Sequence, residues 1–294
     1  MENTFFDSTY ELPSKEIKKR TESLIGFEDK FSRVKNSIQL ILRKDELELW
    51  RDKFHKSLQA VESISDMYPL IIFSGDVGTG KTAFAEGMAE RITRELQKTG
   101  YFLRLSTRVR GQGLHGEMGN LVNEAFSQLK KQAGKRRLSF LLIDEADAIA
   151  TTRSTQQMHQ EEKAGVNTLI QKIDELRETG GRAIVIMATN RLHFLDEAII
   201  RRAGVVIKFD RPDDNERREL FTKDLECVFE TNEQLENLVK LTGPDENNGV
   251  GYSYSDLRLK VFPEAIARVF PSKPLTFDTI SEVLKDVQPS PKIK

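Results

Sequence analysis

The chain has very little cysteine, and this scarcity restricts the kind of protein it can be. Its 294 residues include one cysteine, Cys227, which excludes an internal disulfide. Because Cys227 lies among apolar residues at helical spacing, we predict that it is a small buried residue. The 4 histidines are dispersed without metal-ligand spacing, so we expect no site for a transition metal.

Long apolar runs and a dominant charge of one sign are also missing. No apolar segment approaches membrane-spanning length, and the first residues lack the basic start and apolar core of a signal peptide. We therefore expect a cytoplasmic protein with no membrane association. The 45 basic residues nearly balance the 46 acidic ones, for a formal net charge of -1. This balance argues against a dedicated nucleic-acid binder, although an average can hide a local basic patch.

One glycine-rich segment lies between an apolar run and an amphipathic helical pattern. It predicts a phosphate-binding loop, because glycines let backbone N–H groups close around phosphates and a helix N-terminus favours anions. Lys81 is expected to reach the β- and γ-phosphates of ATP, and the Thr82 hydroxyl to hold Mg2+. A glycine-rich turn with a surface lysine fits these flanks less well. The predicted loop is Gly75, Asp76, Val77, Gly78, Thr79, Gly80, Lys81 and Thr82.

Polar residues follow two later apolar runs. Asp144 and Glu145 come directly after the run 138–143, where ligands bind in open α/β sheets. We expect Asp144 to support the Mg2+ shell and Glu145 to polarise the attacking water as general base. Asn190 follows the next run, where it either orients the water or the γ-phosphate or is simply a turn residue.

Paired arginines, Arg201 and Arg202, close a short helical pattern. An arginine inserted from a neighbouring subunit stabilises transition-state charge on the γ-phosphate. Adjacent helical residues point in different directions, so we expect at most one to be the main arginine finger. The alternative is a solvated basic helix end favoured by the helix dipole.

The alternation of apolar runs with helical patterns predicts an α/β fold. We expect a mostly parallel sheet flanked by helices, followed by a small C-terminal helical domain that begins after Pro212. The predicted organisation is a loosely held N-terminal arm, a large nucleotide-binding domain, a small helical domain and a disordered tail. The respective ranges are 1–20, 21–212, 213–288 and 289–294.

Taken in order, these motifs and Gly251-Tyr252-Ser253 resemble the AAA+ ATPases, over roughly residues 20–285. The resemblance implies a P-loop AAA+ module with a helical lid domain. Short segments are similar to the pachytene-checkpoint type, also called the thyroid-receptor-interacting-protein type, which remodels HORMA domains. These segments are 11–14, 22–25, 114–122 and 202–203.

The resemblance implies a homo-hexameric ring with ATP at the subunit interfaces and the adenine near Ile25 and Gly26. It places Leu114 and His115 in a pore loop that grips substrate, although His115 is less apolar than the usual aromatic residue. Leu114 packing within its own loop is an equal alternative. The family's sensor arginine is replaced by Ser255 and Asp256, and Arg258 is the nearest substitute.

The resemblance also suggests a function. Short chains of this kind resemble bacterial members that accompany HORMA proteins and nucleotide-second-messenger synthases in anti-phage defence. Our leading hypothesis is an ATP-driven remodeller that partly unfolds a HORMA-type protein, alone or in complex with a nucleotidyltransferase, and so disassembles a signalling complex. The segment before Leu70 is too short for a full substrate-binding domain. Recognition is therefore expected to use the ring surface, the pore loops or an adaptor.

Two other classes of function stay open. One is a nucleic-acid-associated AAA+ ATPase, such as a replication loader or transposition helper. It is supported by Arg108, Arg110 and the basic segment 135–137. Near-neutral charge makes this alternative the weaker one. The other is a nucleotide-gated scaffold with negligible hydrolysis, and the presence of both Glu145 and Asn190 argues against it.

Overall fold

The computed structural model describes residues 5–64, 66–106, 117–151 and 160–293. Its contacts divide the chain into two compact units. The first comprises Met1–Ser74 and Thr82–Lys208, and the second comprises Gly75–Lys81 and Phe209–Lys294. The phosphate loop up to Lys81 therefore belongs to the second unit, whereas Thr82 belongs to the first.

A six-stranded sheet has the strand order β1-β3-β4-β5-β2-β6. β3 pairs with β4, β4 with β5 and β5 with β2, all parallel. Every side chain of β4 and β5 is buried, as expected for central strands covered on both faces. The mostly parallel sheet predicted from the sequence is confirmed. The strands are β1 (Phe6–Leu12), β2 (Leu70–Gly75), β3 (Gly100–Leu105), β4 (Leu138–Ile143), β5 (Ala183–Thr189) and β6 (Val205–Phe209).

The N-terminal segment differs from the loosely held arm that its polarity predicts. β1 pairs antiparallel with β3, with Tyr10 opposite Phe102 and Leu12 opposite Gly100. Exposed and partly buried side chains alternate along β1, and Leu12 is buried. The expectation was wrong here because average polarity hides an alternation of period two, which is sufficient for an edge strand.

Helices precede, separate and follow the strands of the first unit. Side chains from α6 and α7, among them Phe126 and Leu169, pack into one core with Leu141 and Val185 of the central strands. Every described helix is too short or too polar to cross a lipid bilayer. These helices are α1 (Lys15–Thr21), α2 (Phe27–Leu42), α3 (Lys44–Phe54), α4 (Ala60–Ile64), α5 (Lys81–Glu95), α6 (Glu117–Ala133), α7 (Gln160–Glu175) and α8 (Glu197–Ile200).

The second unit is helical after β6. Asp213 caps its first helix in a capping box with Glu216, and Thr231 and Thr276 cap two later helices. A single π-helical stretch, Leu257–Val261, lies between the third and fourth helices. The helices are α9 (Asp214–Leu225), α10 (Asn232–Leu241), α11 (Tyr254–Asp256), α12 (Phe262–Val269) and α13 (Phe277–Asp286). The domain boundary near residue 212 stays a prediction.

Two further expectations differ from the structure in this unit. Cys227 is exposed, not buried, because it lies in a 3-10 turn, Glu226–Val228, beyond the end of α9. The helical spacing of its neighbours does not continue that far. The segment from 289, expected to be disordered, forms hydrogen bonds through Ser290 and Ile293. Such a short polar segment has no periodicity from which to predict contacts.

Candidate nucleotide site

The phosphate loop joins β2 to α5, and its shape depends on glycine. Gly80 has a φ of +89°, and a Cβ added there would meet nothing within 4 Å, so open space adjoins the loop. Gly78 has a φ of +73°, and an added Cβ would lie 2.7 Å from the Ser253 hydroxyl oxygen. Both backbones are in the left-handed region that favours glycine. Gly78 also allows close approach, since its carbonyl accepts the Ser255 N–H at 3.1 Å.

Lys81 is held by the loop itself. Its Nζ donates to the carbonyl oxygens of Gly75 at 2.9 Å and Asp76 at 2.7 Å, and the side chain is buried. Thr79 donates its hydroxyl to the Asp76 carbonyl at 2.8 Å, and Val77 donates its N–H to the Asp76 carboxylate at 2.8 Å. Polar groups of the loop therefore help to order it, and the Lys81 ammonium lies against two of its carbonyl oxygens.

The first unit contains a carboxylate edge, which we define as Asp144, Glu145 and Asn190. β4 and β5 are parallel neighbours, with Ile143 opposite Met187, so their carboxyl ends bring these residues to the same edge of the sheet. Asp144 Oδ2 accepts the Thr82 hydroxyl at 2.9 Å and Arg104 Nη2 at 2.9 Å. The structure thus brings together Thr82 and Asp144, the two residues predicted to hold Mg2+.

Glu145 and Asn190 differ from Asp144 in having few contacts. Glu145 is exposed, and its backbone is in the left-handed region, with φ 49° and ψ 46°. Its N–H donates to Asp144 Oδ1 at 3.1 Å. Within the described ranges, neither the Glu145 carboxylate nor the Asn190 amide has a hydrogen-bond or ion-pair partner. Beside Asn190, the Thr189 hydroxyl donates to Asp147 at 2.7 Å, which fixes the end of β5 to the turn after β4.

These donors suit a nucleotide with a hard cation. Thr82 and Asp144 supply adjacent oxygen atoms, the ligand type of Mg2+, which usually takes few protein ligands and completes its shell with water and phosphate. Across the described parts of the chain, no group of three or more His, Cys, Asp and Glu side chains could hold a metal ion.

Comparisons with known proteins agree with this chemistry. A family model described as the ATPase family associated with various cellular activities (AAA) matches residues 71–211. CD-NTase-associated protein 6 of Escherichia coli (strain KTE188) is 44% identical over 291 residues, which cover 98% of this chain and 97% of that protein. The chain belongs to the AAA ATPases. It is accordingly a nucleotide-binding enzyme that hydrolyses ATP.

Solved structures extend the likeness over the whole AAA ATPase chain. A chain of the E. coli MS115-1 HORMA:CdnC:Trip13 complex has a TM-score of 0.88 and 33% identity, covering 99% of this chain and 98% of that one. Rhizobiales Trip13 has a TM-score of 0.74 and 31% identity, covering 97% of this chain and 99% of that one. The resemblance inferred from short segments is confirmed.

The paired arginines of this AAA ATPase have different surroundings. Arg202 donates to both carboxylate oxygens of Asp174, with Nε 2.5 Å from Oδ1 and Nη2 3.0 Å from Oδ2. It also donates to the Ala198 carbonyl and lies over the Tyr68 ring. The hydrogen bond with Asp174 raises the pKa of Arg202. Among the described residues the Arg201 guanidinium pairs with Glu197, at 3.3 Å, and both side chains are 80% exposed.

The other predicted site residues have surroundings of their own or fall outside the described residues. Arg258 forms a two-pronged ion pair with Asp224, at 2.6 and 3.0 Å, so its guanidinium is engaged within the second unit. Ile25 is buried, and Gly26, with a φ of 62°, precedes α2 in the first unit. Leu114 and His115 lie outside the residues that the structure describes.

Sequence reasoning missed two arginines. Arg104 contacts Asp144, and its signal was a charged residue inside the apolar strand β3. Arg211 forms an ion pair with Asp76 of the phosphate loop at 2.6 Å, and its side chain is only 7% exposed. No local pattern identifies Arg211, because Asp76 lies far away in the sequence.

Proposed function

We propose that this AAA ATPase binds ATP with Mg2+ through the phosphate loop, Thr82 and Asp144. The loop's backbone N–H groups and Lys81 bind the phosphates, which requires the Lys81 ammonium to exchange the Gly75 and Asp76 carbonyls for phosphate oxygens. Thr82 and Asp144 hold the cation, which when bound neutralises phosphate charge. Ile25, Gly26 and Arg258 are proposed nucleotide contacts that rest on the family resemblance alone.

Hydrolysis requires a base and a compensating positive charge. Glu145 takes a proton from the attacking water, a role suited to an exposed carboxylate that has no competing partner among the described residues. Asn190 orients the water or the γ-phosphate, since its amide has hydrogen-bonding capacity to spare. Arg201 or Arg202 of a neighbouring copy stabilises the charge that develops on the γ-phosphate. This arrangement implies a ring, and we propose a hexamer.

The proposed substrate is a HORMA-domain protein, alone or bound to a nucleotidyltransferase. The observation that supports it is likeness along nearly the full length of both chains, at 33% identity, to a chain of the HORMA:CdnC:Trip13 complex. Fold likeness alone would be weaker support, because one fold hosts many functions. We propose that ATP hydrolysis in the cytoplasm drives partial unfolding of this protein through the ring's pore, with Leu114 and His115 as gripping residues.

The test is ATPase activity with candidate substrates added one at a time. A HORMA-domain protein is expected to stimulate hydrolysis, whereas single-stranded and duplex DNA are not. Glu145→Gln serves as the control, because contaminating ATPase would persist in that variant. Stimulation by DNA alone would favour a replication loader or transposition helper instead. A wild-type chain that binds ATP but never hydrolyses it would favour a scaffold.

A further inference from the structure

The phosphate loop contains a negative charge of its own, the Asp76 carboxylate. The side chain of Asp76 is 14% exposed, and its Oδ1 accepts the Val77 N–H at 2.8 Å. A carboxylate within a polyphosphate-binding loop opposes binding, because like charges repel. Arg211 compensates this charge, since its Nε lies 2.6 Å from Asp76 Oδ2. An unpaired Asp76 would leave the loop less attractive to phosphate.

Arg211 connects the loop to two other segments of the second unit. Its Nη1 donates to the Gly251 carbonyl at 2.7 Å, and its Nη2 donates to the Pro291 carbonyl at 3.3 Å. The guanidinium is planar, so its donors hold a fixed relation to one another. The position of the Asp76 carboxylate therefore depends on Gly251 and Pro291 as well as on Arg211.

The segment Ser290–Ile293 is anchored on both sides of Arg211. On one side, the Ser290 hydroxyl and N–H donate to the Asp256 carboxylate at 2.6 and 3.2 Å, and Lys260 donates to Ser290 and to Asp256, each at 2.7 Å. On the other side, the Ile293 N–H lies 3.4 Å from Asp76 Oδ1. Burial of Asp256 opposes its ionisation, but hydrogen bonds from Lys260, Ser290 and Ser253 outweigh burial and lower its pKa. The Asp256 carboxylate that holds Ser290 is thus charged at neutral pH.

We propose that Arg211 and Ser290–Ile293 form a clamp on the phosphate loop that sets how tightly nucleotide is held. Arg211 is a positioning residue: it neutralises Asp76 and fixes its orientation, and the segment holds Arg211 in place. The proposal rests on the assignment of the loop as the ATP site. It predicts an effect on nucleotide affinity and release that is separate from the hydrolytic step.

The first experiment compares binding of a fluorescent ADP analogue by wild type and Arg211→Met, which keeps the side chain's bulk but removes its charge. The dissociation constant is expected to rise about tenfold, as for loss of one partner of a buried ion pair. The KM for ATP should rise in the same proportion, because Arg211 acts on the loop that binds the phosphates. Arg218→Met is the matched control, since Arg218 forms a two-pronged ion pair with Glu236 in the same unit.

The double variant Asp76→Asn with Arg211→Met distinguishes the loss of charge compensation at Asp76 from a general disturbance of the fold. Binding should recover most of its loss, because the carboxylate that Arg211 compensates is gone. No recovery, or an equal loss in Arg218→Met, would contradict the clamp. Wild type that binds no nucleotide would overturn both the clamp and the proposed function, whereas unchanged binding in Arg211→Met would overturn the clamp alone.

A chain that ends at Pro289 tests the segment Ser290–Ile293 without a substitution in the loop or at Arg211. Stopped-flow displacement of the same ADP analogue is expected to show release about threefold faster than in wild type, as expected when the ordering of a contact segment is lost. Lys285→Ala, an exposed change in the preceding helix, should release at the wild-type rate. Identical release from the shortened chain would show that the segment does not act on the loop.

Discussion

The phosphate loop and the carboxylate edge hold their polar side chains in opposite ways. In the loop, Lys81 donates to two carbonyls and Asp76 pairs with Arg211. At the carboxylate edge, Asp144 is paired, but the Glu145 carboxylate and the Asn190 side-chain amide have no hydrogen-bond or ion-pair partner within the described ranges. The polar side chains of the loop therefore pair with other groups of the protein, whereas two side chains of the edge keep unused hydrogen-bonding capacity among the described residues.

This difference follows from the tasks proposed for each region. A phosphate-binding loop works through fixed backbone N–H groups, so its shape has to be stable before the ligand arrives. A general base and a water-orienting amide act on groups that the protein does not contain, so internal partners would compete with their function. Changes at the edge are therefore expected to affect rate, and changes around the loop to affect affinity.

The largest expected effect comes from Glu145→Gln. The glutamine side chain fits the same exposed position but cannot accept the proton, so ATP hydrolysis should fall by about a thousandfold or more. Nucleotide affinity should stay within about twofold of wild type, because Glu145 is not among the groups that bind phosphate in the proposal. Steady-state ATPase assays together with fluorescent-nucleotide binding would measure both quantities.

The matched control is Glu178→Gln, an exposed glutamate in the same unit. It should retain wild-type hydrolysis and affinity. Normal turnover in Glu145→Gln would remove Glu145 as the base, and a parallel loss of affinity would mean that the two regions are not functionally distinct.

The paired arginines after α8 allow the same comparison, between a side chain that is engaged with other residues and one that is exposed. Arg201→Ala should lower ATPase activity of the assembled protein by about a hundredfold without changing thermal stability, because Arg201 is exposed and its ion pair with Glu197 is a solvated one. Arg202→Ala should lower the free energy of unfolding by about 1 kcal/mol, since a partly exposed ion pair and its packing are lost. Thermal unfolding and ATPase assays on both variants separate these effects.

Mixed assemblies identify which arginine acts across the subunit interface. Subunits with Lys81→Ala keep both arginines, and subunits with Arg201→Ala or Arg202→Ala keep an intact phosphate loop. Activity should reappear when Lys81→Ala is mixed with the variant of the finger residue, because one interface then has both parts. A strictly inactive mixture of assembled rings for both arginines would contradict a site shared between neighbours.

A smaller effect is expected at Arg104, the positively charged side chain that contacts Asp144 of the carboxylate edge. Its guanidinium donates to Asp144 and opposes a second positive charge there, so Arg104→Gln should lower the half-saturating Mg2+ concentration about threefold. Mg2+ titration of ATPase activity measures this shift. Arg136→Gln, in an exposed turn of the same unit, should leave the titration unchanged. A weaker response to Mg2+ in Arg104→Gln would mean that Arg104 orients Asp144 for the metal.

The sequence predicts contiguous features of this molecule better than distant contacts. The alternating strands and helices, the phosphate loop and the strand before Asp144 are each visible as a local pattern, because period and glycine placement are local properties. The Arg211–Asp76 and Arg104–Asp144 pairs join segments that are far apart in sequence, and a single sequence has no signal for such partners. β1 and the segment Ser290–Ile293 were missed for a related reason, since pairing with distant residues orders them.

The smallest expected effect concerns Tyr252, which ties the end of α13 to the second unit. Its buried hydroxyl lies 2.5 Å from the Val287 carbonyl. Tyr252→Phe should lower the free energy of unfolding by about 1 kcal/mol through loss of this hydrogen bond. Burial, with a contribution from Asp256, raises the pKa of Tyr252 from 10.0 to about 12.

The raised pKa of Tyr252 determines how the stability effect of Tyr252→Phe changes with pH. A raised pKa adds stability that is complete below pH 10, the unfolded value, and is lost as pH rises towards about 12. The stability difference between wild type and Tyr252→Phe should therefore be constant near neutral pH and shrink above pH 10. Denaturant unfolding at several pH values measures it, and the other tyrosines cancel because both proteins share them. A difference that stays constant through this range would mean that the Tyr252 hydroxyl is more solvated than its burial indicates.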